Sequence, residues 1–273
     1  MKVLGINGSH RAGKGTAALL QAALDGAAEQ GTALGVPVSG ELVELSRLDI
    51  GFCIGCNRCL AQTSCTLADD MNDLYEKLRD ADVVLLASPD YFGAVSARMK
   101  NFMDRTRPFH MVENVLTGKV GGALSTAGLN NCGGEGTLAL LDSWFATQGM
   151  LAVHPRTQGA PLAGGVVATG FAGLNEKGQP QWRSVKGDEI GFALARQLGR
   201  EAMVRVISGN MAAAVNASVP VVEAPAIAIF SRCKSNKSVP NVTNCRQGFR
   251  GLTPFAHKAN KSPLTCCCQR LAR

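Results

Sequence analysis

DVVLLAS, residues 82–88, is a continuous apolar run of the kind that forms a strand buried on both faces. Such a strand demands neighbours in its sheet and helices above and below it, and the chain supplies both in alternation. KVLGI (2–6) precedes a stretch with Ala and Leu at helical spacing, TAALLQAALDGAAEQG (16–31). GELVELSRLD (40–49) predicts a second strand, and DDMNDLYEKLRDA (69–81), opening on carboxylates that suit a helix N-terminus, predicts a second helix. After residues 82–88 come a helix at 96–106, a strand at 119–126, a helix at 134–149, a strand at 150–155 and a helix at 187–207. This order, five strands each followed by a helix, requires crossovers and therefore a parallel sheet covered on both sides. The expectation is a doubly wound α/β domain over residues 1–207, with ligands at the carboxyl edge of its strands.

Charge separates the rest of the chain from that domain. The net charge is +7, but residues 211–273 hold nine Lys/Arg against Glu223 alone, a balance of +8, and the first 210 residues carry −1. Residues 208–273 lack sustained periodicity and mix Ser, Asn, Pro and Lys, which predicts a basic, weakly structured, solvated extension. It contains no recognisable nucleic-acid module, so no nucleic-acid partner is expected. The most apolar stretch, 211–230, is broken by Asn216, Pro220, Glu223 and Pro225, so no membrane span is expected. The start, MKVLGINGSHRAGKG, lacks the apolar length and cleavage site of a signal peptide, which predicts a cytoplasmic protein.

GSHRAGKGT, Gly8 to Thr16, lies between the first strand and the first helix, where backbone N–H groups and the helix dipole favour a phosphate. Two readings compete. Gly8-x4-Gly13-Lys14 opens like a P-loop, and the GKGT ending resembles nucleoside monophosphate kinases. Against that reading, Arg11 stands where those kinases carry glycine, no hydroxyl follows Lys14, and no second acidic magnesium motif is evident. The other reading is a flavin mononucleotide (FMN) loop. Ser9, Arg11 and Thr16 would then bond the phosphate, while Gly8 and Gly15 let the backbone approach.

Two later segments favour flavin. SPDYFGAVSARMKNFMDRT (88–106) and STAGLNNCGGEGTLALLDSWFATQGM (125–150) resemble the strand-end loops of NAD(P)H-dependent FMN reductases and of their iron–sulfur flavoprotein relatives. The resemblance covers about residues 1–205 and implies a flavodoxin-like fold, FMN as cofactor, and flavin contacts from Ser88, Pro89, Tyr91, Phe92, Gly93, Ser125, Thr126 and Gly128. Taken singly, Tyr91 and Phe92 also read as core aromatics.

CIGCNRCLAQTSC (53–65), within a loop expected over 50–68, spaces four thiols C-x2-C-x2-C-x5-C. A cytosolic setting disfavours disulfides. Zinc is a poorer match, because structural zinc sites take two cysteine pairs separated by a longer segment. Three cysteines at two-residue intervals and a nearby fourth suit the corners of a cubane, with Gly55 and Asn57 easing the turns. Unliganded thiols on a flavin reductase remain a third possibility. The iron–sulfur flavoprotein resemblance, which extends into TLADDM (66–71), implies that Cys53, Cys56, Cys59 and Cys65 ligate a 4Fe–4S cluster. Cys132 reads as a small packed filler, and Cys233, Cys245 and Cys266–Cys268 as exposed thiols of the tail.

The resemblance thus implies an oxidoreductase that passes electrons from a one-electron donor of ferredoxin type, or from NAD(P)H as the alternative electron donor, to a small-molecule two-electron acceptor. It also implies a homo-oligomer, and no catalytic acid or base is required. The alternatives are a cluster-free NAD(P)H-dependent FMN or quinone reductase and a non-enzymatic redox carrier or sensor.

Overall fold

The apolar runs become the middle of a sheet. In the computed structural model, which describes residues 1–129, 132–156 and 165–216 (backbone only for 210–216), β1 (Lys2–Asn7), β3 (Val83–Pro89) and β4 (Val120–Ala127) are buried almost throughout. β2 (Ser39–Glu44) and β5 (Leu151–Val153) flank them, and the order β2-β1-β3-β4-β5, all parallel, is that of the flavodoxin-like doubly wound sheet. Strand order reverses between β1 and β3, so the switch point lies above their carboxyl ends.

Three expected boundaries shift for local reasons. The second strand stops at Glu44, where a 3-10 turn at Leu45–Arg47 turns the chain out of the sheet. The fifth strand pairs only with Val120–Gly122 and stops short of Pro155, which has no N–H for a ladder. The remaining edge of β4 is taken by a segment the periodicity did not announce, β6 (Val166–Thr169), parallel to Leu124–Ala127. The helix expected at 96–106 ends at Arg105, and a short helix with Pro108 in its first turn follows.

Helices cover both faces. α1 (Gly15–Ala33) and α6 (Glu189–Asn216) pack on one side against Val3, Val83, Leu85 and Leu124. On the other side α2 (Met71–Asp80), α3 (Ala97–Arg105), α4 (Arg107–Met111) and α5 (Gly134–Thr147) enclose Leu4, Ile6, Val84 and Leu86. α1 and α6 approach closely through glycines. A side-chain carbon at Gly199 would lie 1.9 Å from the Ala23 carbonyl oxygen, and one at Gly26 would lie 2.0 Å from that of Arg196. An antiparallel hairpin, β7 (Phe171–Leu174) and β8 (Pro180–Trp182), precedes α6 and was not expected. α6 also continues past the expected end at 207, and the rest of the basic tail, from 217 on, lies outside the described residues together with its five cysteines. Among the described residues no helix is long and apolar enough to cross a membrane.

Candidate functional site

Several loops leave the carboxyl edge of this sheet, and two of them carry the motifs found in the sequence. The first is the glycine loop after β1. Gly8 is required there, because a side-chain carbon would lie 2.7 Å from the Met99 Cβ, and Gly13 has φ +67°, a left-handed conformation that favours glycine. Ser96 locks the loop's start: its hydroxyl donates to the Gly8 carbonyl (2.6 Å) and accepts the Met99 N–H (3.1 Å), capping α3. Glu44 locks its middle, accepting from Asn7 Nδ2 (2.7 Å) and from the Gly13 N–H (2.8 Å). Ser9 Oγ accepts the Arg11 N–H (3.1 Å) and thereby retains its own proton for an acceptor. α1 then starts with no side-chain cap and no acidic residue in its first turn, which leaves its positive end uncompensated toward the loop.

That end opens into a cavity of about 570 Å³. Eight of the expected cofactor residues line it: Ser9, Arg11, Gly15, Thr16, Pro89, Tyr91, Thr126 and Gly128. Thr16 and Thr126 join their hydroxyls at 2.8 Å, tying the start of α1 to the end of β4. Ser88, Phe92, Gly93 and Ser125 do not line it. The Ser88 hydroxyl is spent inside the protein, accepting the Ser96 N–H (2.9 Å) and donating to the Pro89 carbonyl (2.9 Å). Ser125 is fully buried, and its Oγ has no partner among the described residues. Phe92 and Gly93 form the tip of a tight turn closed by Tyr91 and Ala94, both with positive φ (55° and 76°). With Phe92 at 108% exposure and Tyr91 at 44%, neither is a core aromatic. Tyr91 instead stacks on His10 at a centroid distance of 5.8 Å.

Sequence reasoning missed a second group lining the cavity: Asp90, Gly170 and the run Arg183, Ser184, Val185 and Lys186 beyond the hairpin. No motif marks that run. Its one signal was the turn sequence Asn175–Gly178, in which the Asn175 side chain accepts the N–H groups of Lys177 and Gln179.

The second loop runs from Gly51 to Asp70 between β2 and α2 and carries the cysteines. Cys53, Cys56, Cys59 and Cys65 are free thiols and rim one hollow together with Arg58, Arg105, Arg107 and Asp104. Gly55 (φ +66°) and Asn57 (φ +59°) make the left-handed turns between successive cysteines. Arg105 anchors the loop from below. It is 1% exposed and forms a two-pronged pair with Asp69 (2.6 and 2.9 Å) while its Nη1 donates to the Gly51 carbonyl (2.6 Å). Burial opposes ionisation of Asp69, but the Arg105 guanidinium and the Gly51 and Met71 N–H groups prevail and hold its carboxyl below the usual range. Arg107 donates to Asn57 Oδ1 (2.9 Å).

This surrounding fits a thiolate-ligated cluster. The Cys56 thiol is lowered from its ordinary value by the Arg58 backbone N–H and by Thr66, so it is poised toward thiolate. Arg105 Nε is buried with no partner among the described residues, and Arg58 and Arg107 on the rim, against Asp104, offset part of the negative charge that four thiolates bring. The thiols rim the hollow instead of meeting at a point: among the described residues no three His, Cys, Asp or Glu side chains converge on a single metal ion. Cys132 does not fulfil its expected packing role, since it is exposed just before α5.

A cavity with an uncapped helix start and basic side chains at the switch point of such a sheet has the features that suit a mononucleotide. The class these features define is a doubly wound α/β protein of flavodoxin-like topology, with a cavity suited to a nucleotide and a separate cysteine-rich loop. Residues 1–161 match the NADPH-dependent FMN reductase family. An iron–sulfur flavoprotein of Methanocaldococcus jannaschii is 34% identical over 201 residues, covering 74% of this chain and 95% of the relative. Another, of Archaeoglobus fulgidus, is 34% identical over 200 residues, covering 73% and 92%. Among solved structures, the NAD(P)H:quinone oxidoreductase from Methanothermobacter marburgensis superposes with a TM-score of 0.51 over 74% of this chain and 95% of its own, at 17% identity, a likeness of fold. The chain belongs to the NADPH-dependent FMN reductase family and, within it, to the iron–sulfur flavoproteins. It is an FMN-dependent oxidoreductase, a flavin redox protein that works between an electron donor and an electron acceptor.

Proposed function

We propose that the protein carries electrons from a one-electron donor of ferredoxin type, through a 4Fe–4S cluster held by Cys53, Cys56, Cys59 and Cys65, to FMN in the cavity above β1, and on to a small two-electron acceptor. FMN accepts or releases one or two electrons and the cluster one at a time, so together they match a single-electron donor to a two-electron acceptor. The observation that carries this reading is the link between the two loops through Glu44. Glu44, the last residue of β2, holds the glycine loop through Gly13, and the chain runs from Glu44 past one 3-10 turn into the cysteine loop. The protein's own contribution is to hold the phosphate with Ser9, Arg11, Thr16 and the start of α1, to present Tyr91 at the cavity, and to offer four thiols in a cationic surround. No side chain is assigned an acid–base role.

Direct use of NAD(P)H is the second reading, favoured by the family match. The two separate on whether reduced ferredoxin or NAD(P)H reduces the bound flavin faster. The same proposal includes a homo-oligomer, to which the exposed Phe52, Ile54 and Phe92 beside the two sites lend support, and a reducing cytoplasm, which suits five free thiols among the described residues. It keeps residues 1–207 as the cofactor-binding domain and treats the basic extension as dispensable for it.

Replacing Arg11 and Thr16 with alanine is expected to weaken FMN binding by about 1.5–3 kcal/mol for each lost bond to the charged phosphate. Flavin fluorescence titration checks this. Unchanged FMN affinity in the double variant, or tight ATP binding by the parent, contradicts the assignment.

A further inference from the structure

We propose that the run Arg183–Lys186 is the second half of the phosphate cradle, so that the monophosphate of FMN is gripped by cations from two separate segments and the site selects FMN over uncharged riboflavin. The inference rests on the flavin reading above. The glycine loop supplies Arg11 and Lys14 to the cavity; the distant run supplies Arg183 and Lys186, against Asp90 as the sole carboxylate among the cavity residues. With the start of α1, cations from both segments face the cavity, an excess of positive charge that favours a phosphate ester of charge near −2 over a neutral hydroxyl.

The run is built into the site. Val185 seats directly on the first residue of α1: a side-chain carbon at Gly15 would lie 3.1 Å from the Val185 Cβ, so glycine at 15 keeps the two segments close. The Arg183 N–H donates to the Gly170 carbonyl (2.8 Å), holding the run to the end of β6. Ser184 Oγ accepts the Lys186 N–H (3.3 Å) and caps the 3-10 turn Val185–Gly187. Arg183 Nη2 stands 3.8 Å from Asp188 Oδ1, and Asp188 in turn accepts the N–H groups of Thr169 (2.8 Å) and Gly191 (3.1 Å). The segment is thereby fixed between β6 and α6 before any ligand arrives, which lowers the ordering cost of binding. Lys186 itself is exposed and forms no ion pair among the described residues, so its ammonium group is free to meet an anion.

The test uses the full-length protein depleted of flavin and titrated with FMN and with riboflavin. Lys186→Glu is expected to weaken FMN at least ~10-fold and to move riboflavin less than ~2-fold, while Lys186→Arg keeps the parent's preference. Lys177→Glu, the same charge change on the hairpin turn outside the cavity, should leave both affinities as in the parent. FMN affinity in Lys186→Glu within twofold of the parent, an equal loss for riboflavin, or an equal effect from Lys177→Glu overturns the inference. A parent that binds riboflavin as tightly as FMN also overturns the inference, and a parent that binds neither overturns the flavin reading itself.

Discussion

Replacing Arg105 with methionine is expected to lower the unfolding free energy by about 3–5 kcal/mol, the cost of leaving one partner of a buried ion pair uncompensated. Arg105 is among the largest fully buried side chains of the described residues, and its guanidinium bonds Asp69 twice and the Gly51 carbonyl once. Its loss strands the Asp69 carboxylate, which also accepts from the Gly51 N–H, and frees both ends of the cysteine loop together. Urea unfolding at neutral pH should show a lower midpoint at an unchanged slope. Arg105→Met with Asp69→Leu should recover much of the loss, because no charge is then left buried alone. The pH dependence follows from the depressed Asp69 carboxyl. Its stabilisation is complete above the unfolded value, about 3.9, and is lost as pH falls through the lower folded value, so parent and single variant should converge in acid. A neutral-pH difference under about 1 kcal/mol would show that the loop is held by something other than this pair.

The second large effect is at Cys56. Cys56→Ala removes a thiol whose surroundings favour thiolate and is expected to abolish most cluster absorption and bound iron. FMN content should change little, since Cys56 belongs to the β2 loop and the cavity residues to other loops. Reduction by a ferredoxin-type donor should therefore fall far more than flavin content. Equal loss of flavin and iron would mean that the two centres do not bind separately, and retention of an intact cluster would mean that Cys56 is not a ligand.

The parts legible in sequence are those whose physics is local. The runs at 82–88 and 119–126 have no polar face, which announces burial on both sides, and they became β3 and β4. The glycine loop could be found because a strand, a left-handed Gly13 and a helix start follow one another within a few residues. What escaped depends on tertiary pairing. β6 is four residues long and takes its place only because β5 leaves half of the β4 edge open near Pro155. The hairpin is punctuated by Gly173 and Pro180, so neither strand has a persuasive pattern, yet it delivers Arg183 and Lys186 to the cavity. Glu44 reads as an ordinary strand-end carboxylate until its bond to Gly13 is seen. Ser88 and Phe92 show the opposite difficulty: family likeness marks their loop, but the fold directs one side chain inward and the other to solvent.

The central claim is that this chain binds both FMN and a four-iron cluster, and one measurement addresses it directly. The full-length protein purified without oxygen should be assayed for flavin, iron, zinc and acid-labile sulfide alongside its visible spectrum. The account predicts one FMN with about four iron and about four sulfide per chain, with flavin bands superimposed on broad cluster absorption. Zinc without iron or sulfide, or flavin with no metal at all, would contradict it.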